Sequence, residues 1–208
     1  MKSSLFKQGI TAIVGIAFAL GAVTISVAAP KKGGILNFVV GSKIPSYDGH
    51  IESTFGMIHP IRPFYSLLFR VNPDNPADPT DFQCDVCEGN IPSGAKGGTE
   101  YTFKIRKGLQ FHDGTPLNAH DVKATFDKIV FPPKGVASNR KAMFKMVKSI
   151  EVSDDHTIVF TLKFPSGAFI PSAGMPFNFI YSKKDLDAHG YEWHKKNVNG
   201  SGAFIFVE

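Results

Sequence analysis

The sequence contains little charge and almost no cysteine or tryptophan. Of its 208 residues, 20% are charged, 2 are Cys and 1 is Trp, and the formal net charge is +5. The basic residues are dispersed, with only doublets such as Lys183-Lys184 and Lys195-Lys196, so the chain lacks the basic stripe of a nucleic-acid-binding protein. With 43% hydrophobic residues, 19 Phe and no repeat of fixed period, the sequence is typical of a folded globular chain.

Recognisable catalytic motifs are also missing. The sequence has no Gly-x-Ser-x-Gly, no Gly-x-x-x-x-Gly-Lys and no His-Glu-x-x-His pattern, and its seven His are scattered. Its acidic pairs, such as Asp154-Asp155, lie in predicted turns or on solvated faces, where they are poorly placed for general acid–base catalysis. We therefore predict that the chain is not an enzyme, and we assign no catalytic residue, cofactor or metal.

One long hydrophobic run is present, at the N-terminus. Residues 9–25 carry no charge and follow Lys2 and Lys7, and the small residues Val27, Ala28 and Ala29 come next. This pattern predicts a signal peptide over residues 1–29, cleaved after Ala29, and hence an exported chain. An uncleaved membrane anchor is the alternative, although the run of 17 residues is short of the roughly 20 that a spanning helix needs.

The two cysteines form a Cys-Asp-Val-Cys pair, Cys84 and Cys87. In an exported chain an internal disulfide is the first interpretation. Glu88 stands where a c-type haem site would have His, and the surrounding prolines do not suit the strand and helix of a thioredoxin-type pair. Half of a zinc site stays open as an alternative, although no second Cys pair is present.

Hydrophobic periodicity predicts an α+β grouping of strands and one packed helix. Alternation indicates a half-buried strand over residues 101–105 and an antiparallel hairpin over residues 147–162 that turns at residues 154–156. Asn118 is a candidate N-cap for a helix that ends before Pro132-Pro133. The apolar face of this helix carries Val122, Phe126 and Ile129.

Three further predictions rest on apolar runs and on the positions of proline and glycine. Residues 35–40 form a nearly continuous apolar run, which predicts a strand buried on both faces. Pro60 and Pro63 limit any helix in residues 53–69 to the part that follows them. Residues 203–207 predict a strand after a Gly-rich loop, and because it stops at Glu208 without a turn, we expect the chain to be a fragment of a longer protein.

The segment from Tyr101 to Ile129 resembles the hallmark segment of the family-5 extracellular solute-binding proteins, the peptide, dipeptide and nickel receptors of ABC importers. The resemblance rests on a strand ending in Arg106-Lys107-Gly108, then Phe111, Asp113-Gly114-Thr115-Pro116, Ala119 and Asp121-Val122. Residues 33–36, 147–162 and 199–208 resemble further stretches of the same family. The Cys-Asp-Val-Cys pair is not part of the family pattern.

The resemblance implies an α/β fold of the periplasmic binding protein type II class, reduced to the N-terminal lobe. Residues 30–64 and 170–208 would belong to an incomplete lobe I, and residues 65–169 would form an inserted small α+β subdomain. The second lobe would be absent from this chain. In the hallmark segment, Asp113-Gly114 is expected to make a turn, so we interpret that segment as architectural rather than ligand-binding.

The function implied by the resemblance is substrate binding for an ABC importer in the periplasm. The chain would act as a monomer that captures a short peptide or a similar small solute and delivers it to permease subunits in the inner membrane. Two interpretations compete: an exported metal-binding or redox protein that uses Cys84 and Cys87, or a non-functional truncated fragment. The sequence does not distinguish peptide, nickel-complex, opine and sugar ligands.

Family position also implies the ligand-binding residues. The segment Glu52, Ser53, Thr54 and Phe55 would face the ligand cleft, where an extended backbone can pair with the main chain of a peptide. Asn139 and Arg140 would reach the same cleft, and the Arg140 guanidinium could bind a carboxylate as a fork.

Overall fold

A computed structural model of the chain describes residues 33–207. The predicted signal peptide over residues 1–29 and its cleavage after Ala29 lie outside the described residues. Contacts between residues group the chain into two units, with the boundary between Phe38 and Val39. All helices and strands described in the following paragraphs belong to the unit that begins at Val39. Within residues 33–207 no helix is both long and apolar enough to cross a membrane.

The main sheet is antiparallel and has four strands. In chain order these are β3 (Cys87–Glu88), β4 (Glu100–Ile105), β5 (Val147–Asp154) and β6 (Thr157–Leu162), and their order across the sheet is β3-β4-β6-β5. In β4, Tyr101, Phe103 and Ile105 are buried while the residues between them are exposed, as alternation requires. The predicted strand over residues 101–105 and the predicted hairpin are both confirmed.

A helix over Ala119–Val130 packs against β5 and β6. Its N-terminus has a complete capping box, because the Asn118 side chain accepts from the His120 N–H at 2.8 Å and the Asp121 carboxylate accepts from the Asn118 N–H at 2.9 Å. The residues of its predicted apolar face, Val122, Phe126 and Ile129, are fully buried. The helix and its cap are therefore as the sequence predicts.

A second, smaller group of elements precedes the main sheet. Helix α1 (Phe55–Ile61) continues into a 3₁₀ turn (Arg62–Phe64), and β1 (Phe69–Val71) pairs with β2 (Phe82–Cys84). The capped helix is thus α2, and the later helices are α3 (Phe169–Ala173) and α4 (Lys183–His189). Short 3₁₀ turns span Lys141–Phe144 and Trp193–Lys195.

The prediction for the Pro60 region is wrong. Pro60 lies inside α1 rather than before any helix. In a helix of two turns, most N–H groups lie in the first turn and have no intrahelical acceptor in any case, so proline removes a single hydrogen bond. The helix is retained because its other face is buried, with Met57, Ile58 and Ile61 in the core.

The strands predicted at the two ends of the described chain are also wrong. Neither residues 35–40 nor residues 203–207 form a strand, because within residues 33–207 no neighbouring strand pairs with them. The Gly-rich loop instead lies directly against residues 63–65, where the Gly202 N–H donates to the Phe64 carbonyl at 2.9 Å. A Cβ atom on Gly200 would come within 1.8 Å of that carbonyl oxygen, so only glycine fits there.

Buried side chains form two hydrophobic clusters. The larger cluster joins the main sheet to α2 and is built from residues 68–173 with Ile180. The smaller cluster joins two segments that are distant in sequence, residues 57–67 and residues 179–186. The members of the smaller cluster are Met57, Ile58, Ile61, Tyr65, Leu67, Phe179, Tyr181 and Leu186.

The capping box gives a stability prediction. We expect Asn118→Ala to lower the free energy of unfolding by about 1 kcal/mol, because the His120 N–H loses its acceptor. Asn118→Ser keeps an acceptor oxygen, so its free energy of unfolding should stay within a few tenths of a kcal/mol of the wild-type value. Urea unfolding of the three proteins measures both effects, and equal losses in the Ala and Ser variants would contradict this account of the cap.

Candidate functional site

Residues 48–52 form a loop immediately before the predicted ligand-binding segment, and Asn139 and Arg140 hold it in place. The Arg140 guanidinium donates to the carbonyls of Gly49 at 2.7 Å and His50 at 3.1 Å, and also to the Glu52 carbonyl. The Asn139 side chain donates to the Ile51 carbonyl, and its backbone N–H donates to the His50 carbonyl at 3.3 Å. The structure thus brings together the two segments that the sequence predicts to share one site.

The predicted role of Arg140 needs correction. Its side chain is not free to bind a ligand carboxylate, because the residue is only 3% exposed and both terminal nitrogens donate to backbone carbonyls. The guanidinium also lies 4.2 Å from the centre of the Phe177 ring. Burial lowers the pKa of Arg140 to about 10, and it remains charged at neutral pH. Arg140 positions the loop instead of meeting the ligand.

The segment that follows the loop is open to solvent. Ser53, Thr54 and Phe55 are exposed, and Glu52 is half-buried. Phe55 is 76% exposed and its ring stacks on that of His59, with 5.3 Å between the ring centres. Within residues 33–207, neither the N–H nor the C=O of Ser53 takes part in a hydrogen bond. The exposed Phe55 ring and the unpaired backbone groups of Ser53 therefore directly follow a loop, residues 48–52, that Asn139 and Arg140 hold in place.

A buried ion pair lies under the loop. The Lys128 ammonium is 2.5 Å from the Asp48 carboxylate, and both side chains are essentially inaccessible to solvent. The second carboxylate oxygen accepts from the Tyr181 hydroxyl at 2.9 Å and from the His50 N–H at 2.9 Å. The Tyr181 hydroxyl in turn accepts from the Gly49 N–H at 2.9 Å. Asp48 and Tyr181 thus each accept from a backbone N–H of the loop, at His50 and at Gly49.

Two histidines border the ion pair. His50 donates through Nε2 to the Phe179 carbonyl at 2.9 Å, and His194 stacks on Tyr181 with ring centres 3.8 Å apart. Burial lowers the pKa of His50 well below its usual value, and burial together with the Lys128 charge lowers that of His194 to about 3. Both rings are neutral at pH 7.

Sequence reasoning missed Asp48, Lys128 and Tyr181. A signal for Lys128 is present, because Asp121, Thr125 and Lys128 recur at i, i+4 and i+7 along α2, and all three are buried. A polar stripe beside the apolar face indicates that this side of the helix packs against polar partners. Nothing in the local sequence identifies Asp48 as that partner, since 80 residues separate the two.

The hallmark segment is architectural in the structure. The His112 N–H donates to the Gly200 carbonyl at 2.7 Å, and the Asp113 N–H donates to the Asn199 side chain at 3.3 Å. Asn199 also donates to the Asp185 carboxylate at 2.7 Å. The segment therefore ties the Gly-rich loop to α4 and does not line the open surface at Phe55.

The structure joins Cys84 and Cys87 by a disulfide. Arg106 spans the disulfide loop, donating through Nε to the Cys87 carbonyl at 2.7 Å and through Nη2 to the Cys84 carbonyl at 3.3 Å. Among the described residues, no group of three or more His, Cys, Asp or Glu is placed to hold a metal ion. The geometry therefore does not favour the metal-binding alternative.

The ion pair gives a second prediction. We expect Lys128→Met to lower the free energy of unfolding by about 3–5 kcal/mol, because it leaves the Asp48 carboxylate buried without a counter-charge. Adding Asp48→Asn should recover part of this loss, since the amide is neutral and still accepts from Tyr181 and His50. Urea unfolding of the single and double variants measures the recovery, and a double variant less stable than Lys128→Met would refute the account.

The buried His194 gives a pH prediction. An unfolded His takes up a proton below about pH 6.5, whereas the folded chain keeps His194 neutral down to about pH 3. The unfolded state therefore binds more protons in this window, and the free energy of unfolding should fall as the pH is lowered through it.

We expect His194→Phe, which retains a ring against Tyr181, to make this pH dependence shallower between about pH 6.5 and pH 3. Urea unfolding at a series of pH values measures the slope. His189→Phe, at an exposed position, is the matched control. A slope that is the same in wild type and His194→Phe would contradict the prediction.

Comparison with known proteins identifies relatives that are much longer than this chain. The oligopeptide-binding protein AppA of Bacillus subtilis is 34% identical over 117 residues, which cover 54% of this chain and 21% of AppA. The glutathione-binding protein GsiB of Pectobacterium atrosepticum is 36% identical over 110 residues, covering 53% of this chain and 21% of GsiB. Heme-binding protein A of Haemophilus influenzae is 35% identical over 130 residues. The chain thus spans about a fifth to a quarter of these relatives.

Solved structures give the fold. AppA of Bacillus subtilis, in complex with a nonapeptide, aligns with a TM-score of 0.67 and 27% identity over 78% of this chain and 32% of AppA. The dipeptide-binding protein of Pseudoalteromonas sp. SM9913, in complex with Met-Leu, also aligns with a TM-score of 0.67, at 24% identity. The predicted type II periplasmic binding-protein fold is confirmed, and the chain accounts for about a third of it.

The family model described as bacterial extracellular solute-binding proteins, family 5 Middle, matches residues 92–208, which is more than half of the chain. This match includes most of the main sheet, the capped helix α2 and the Gly-rich loop. The chain therefore belongs to family 5 of the bacterial extracellular solute-binding proteins.

Proposed function

We propose that this chain forms part of the substrate-binding component of an ABC importer and captures a short peptide or a similar small solute. The observation that carries the proposal is the exposed segment Ser53–Phe55, which directly follows a loop whose carbonyls accept hydrogen bonds from Arg140 and Asn139. The relatives named above bind an oligopeptide, glutathione and heme. Their common role is to hold a solute, and no chemistry on that solute is needed.

The free backbone groups of Ser53 suit a peptide ligand. An extended segment whose N–H and C=O groups are unpaired can form main-chain hydrogen bonds with a peptide, whatever the peptide's side chains. Phe55 adds an exposed ring on which an apolar side chain can pack. Glu52, Ser53, Thr54, Phe55 and Asn139 are the residues that we propose to line the ligand site. Arg140 contributes by positioning them.

We further propose that residues 30–64 and 170–208 belong to lobe I and residues 65–169 to an inserted subdomain. The smaller hydrophobic cluster supports this division, because it joins residues 57–67 to residues 179–186 and leaves out almost all of the intervening chain. In this proposal the protein is an exported periplasmic monomer that works with permease subunits in the inner membrane. A ligand would favour a closed arrangement of two lobes, and closure would signal occupancy to the transporter.

Thermal unfolding of the purified chain tests the proposal. A mixture of di- to pentapeptides at about 100 times the dissociation constant should raise the unfolding temperature by about 5–10 °C, because a ligand that binds only the folded state stabilises it. Phe55→Ala should remove at least half of that rise without changing the unfolding temperature in the absence of peptide.

Phe164→Ala is the matched control, because Phe164 is also an exposed Phe, at 53%, but lies outside the predicted site. It should leave the rise in unfolding temperature intact. An unfolding temperature that does not change with peptide would contradict peptide capture by these residues.

A further inference from the structure

Two arginines lie together beside the exposed segment. Arg62 is in the 3₁₀ turn after α1, and Arg70 is in the middle of β1. Because successive strand residues point to opposite faces, Arg70 faces away from the hydrophobic core that buries Phe69. Arg62 and Arg70 line the same two surface depressions.

Their charges are not balanced. Asp85 is the one carboxylate paired with either arginine within residues 33–207, at 3.6 Å from Arg62. Arg70 takes part in none of the ion pairs among the described residues, and its Nε is buried without a hydrogen-bond partner there. Burial lowers the pKa of Arg62, the Asp85 charge raises it and the Arg70 charge lowers it. Among the described residues, the two guanidinium groups thus have one paired carboxylate between them, and it lies on Arg62.

The two depressions differ in character, and the arginines stand where both meet. One, of about 520 Å³, has an apolar wall that includes Phe55, Ile58 and Phe177. The other, of about 400 Å³, has polar groups from Ser66, Asp85 and Ser201. An anionic group held by the arginines would therefore have an apolar surface on one side of it and polar groups on the other.

We propose that Arg62 and Arg70 form a binding site for the carboxylate of a ligand whose neighbouring apolar group packs against Phe55, Ile58 and Phe177. This inference rests on the proposed function and adds a ligand class to it. Arg70 makes the direct contact, because within residues 33–207 it takes part in no ion pair and its buried Nε has no hydrogen-bond partner. Arg62 is tied to the Tyr65 carbonyl and to Asp85 and supplies the second positive charge.

The chemistry favours a carboxylate over a neutral group. A guanidinium presents a planar set of donors that matches the two oxygens of a carboxylate, and such charge-assisted bonds are about twice as strong as neutral ones. A partly buried cation without a partner also carries an unfavourable desolvation cost, which a bound anion relieves. The apolar wall requires the ligand to be an organic acid and not a small inorganic anion.

The probe is 3-phenylpropanoate, compared with its neutral analogue 3-phenylpropanamide, in calorimetric titrations of the purified chain. The carboxylate should bind at least about tenfold more tightly than the amide. Arg70→Gln should weaken binding of 3-phenylpropanoate by about tenfold or more and leave binding of the amide unchanged. Lys148→Gln is the charge-matched control at an exposed position and should change neither.

Asp85→Asn provides a test with the opposite sign. It removes the competing negative charge but retains a side-chain oxygen. That oxygen can still accept from the Leu67 N–H, which donates to the Asp85 carboxylate at 2.9 Å in the wild-type chain. We expect it to strengthen binding of 3-phenylpropanoate by about threefold. Loss of folding would weaken binding in both variants, so opposite effects of Arg70→Gln and Asp85→Asn exclude a merely structural explanation. Equal binding of acid and amide, or no effect of Arg70→Gln, would overturn the proposal.

A dipeptide ending in Phe, compared with its C-terminal amide, separates this inference from the proposed function. Tighter binding of the free acid, lost in Arg70→Gln, identifies the carboxylate as a peptide C-terminus. If both peptides bind equally and 3-phenylpropanoate does not bind, the carboxylate site is wrong but peptide capture stands. If 3-phenylpropanoate alone binds, the site is supported and peptide capture fails.

Discussion

The ion pair between Asp48 and Lys128 is the interaction on which the candidate site depends. It lies almost fully buried between α2 and the loop 48–52, and its carboxylate also orients Tyr181 and the His50 backbone. Such a pair is costly to desolvate, so we interpret its value as specificity more than stability: one loop conformation brings Lys128, Tyr181 and the His50 N–H onto the same carboxylate. Arg140 contacts the same loop by donating to three of its carbonyls. Because residues 53–55 directly follow this loop, these contacts also determine where the exposed residues lie.

The elements that could be predicted from sequence are those whose stability is local. Helix α2 has its cap, its apolar face and its proline stop within fifteen residues, and the hairpin of β5 and β6 carries its own alternation and turn. The strands expected at residues 35–40 and 203–207 fail because an apolar run forms a strand only where another strand pairs with it. Pro60 misleads because tertiary burial of α1 outweighs a single lost hydrogen bond.

The sequence predicted that two distant segments lie together, but it did not predict what each side chain in them does. Family resemblance places residues 52–55 and 139–140 near one another, and the structure brings them together. The same resemblance predicts that the Arg140 guanidinium binds a ligand carboxylate, but in the structure it donates to three backbone carbonyls instead. Asp48 and Arg70 carry no periodic or motif signal, because their importance comes from partners that are distant in sequence or missing. Charge balance at a buried position is a property of the fold, and no local pattern records it.

The contacts that fix loop 48–52 have a consequence for the order of folding. They join residues separated by 88 positions at Arg140 and Glu52 and by 133 positions at Tyr181 and Asp48. Closing loops of that length is entropically expensive and is repaid only once the segments between them are already compact. We therefore expect the hairpin and α2 to form first, and the surface that we propose for ligand binding to be assembled late. A nascent chain would acquire its capacity to recognise a solute only after the rest of this unit is in place.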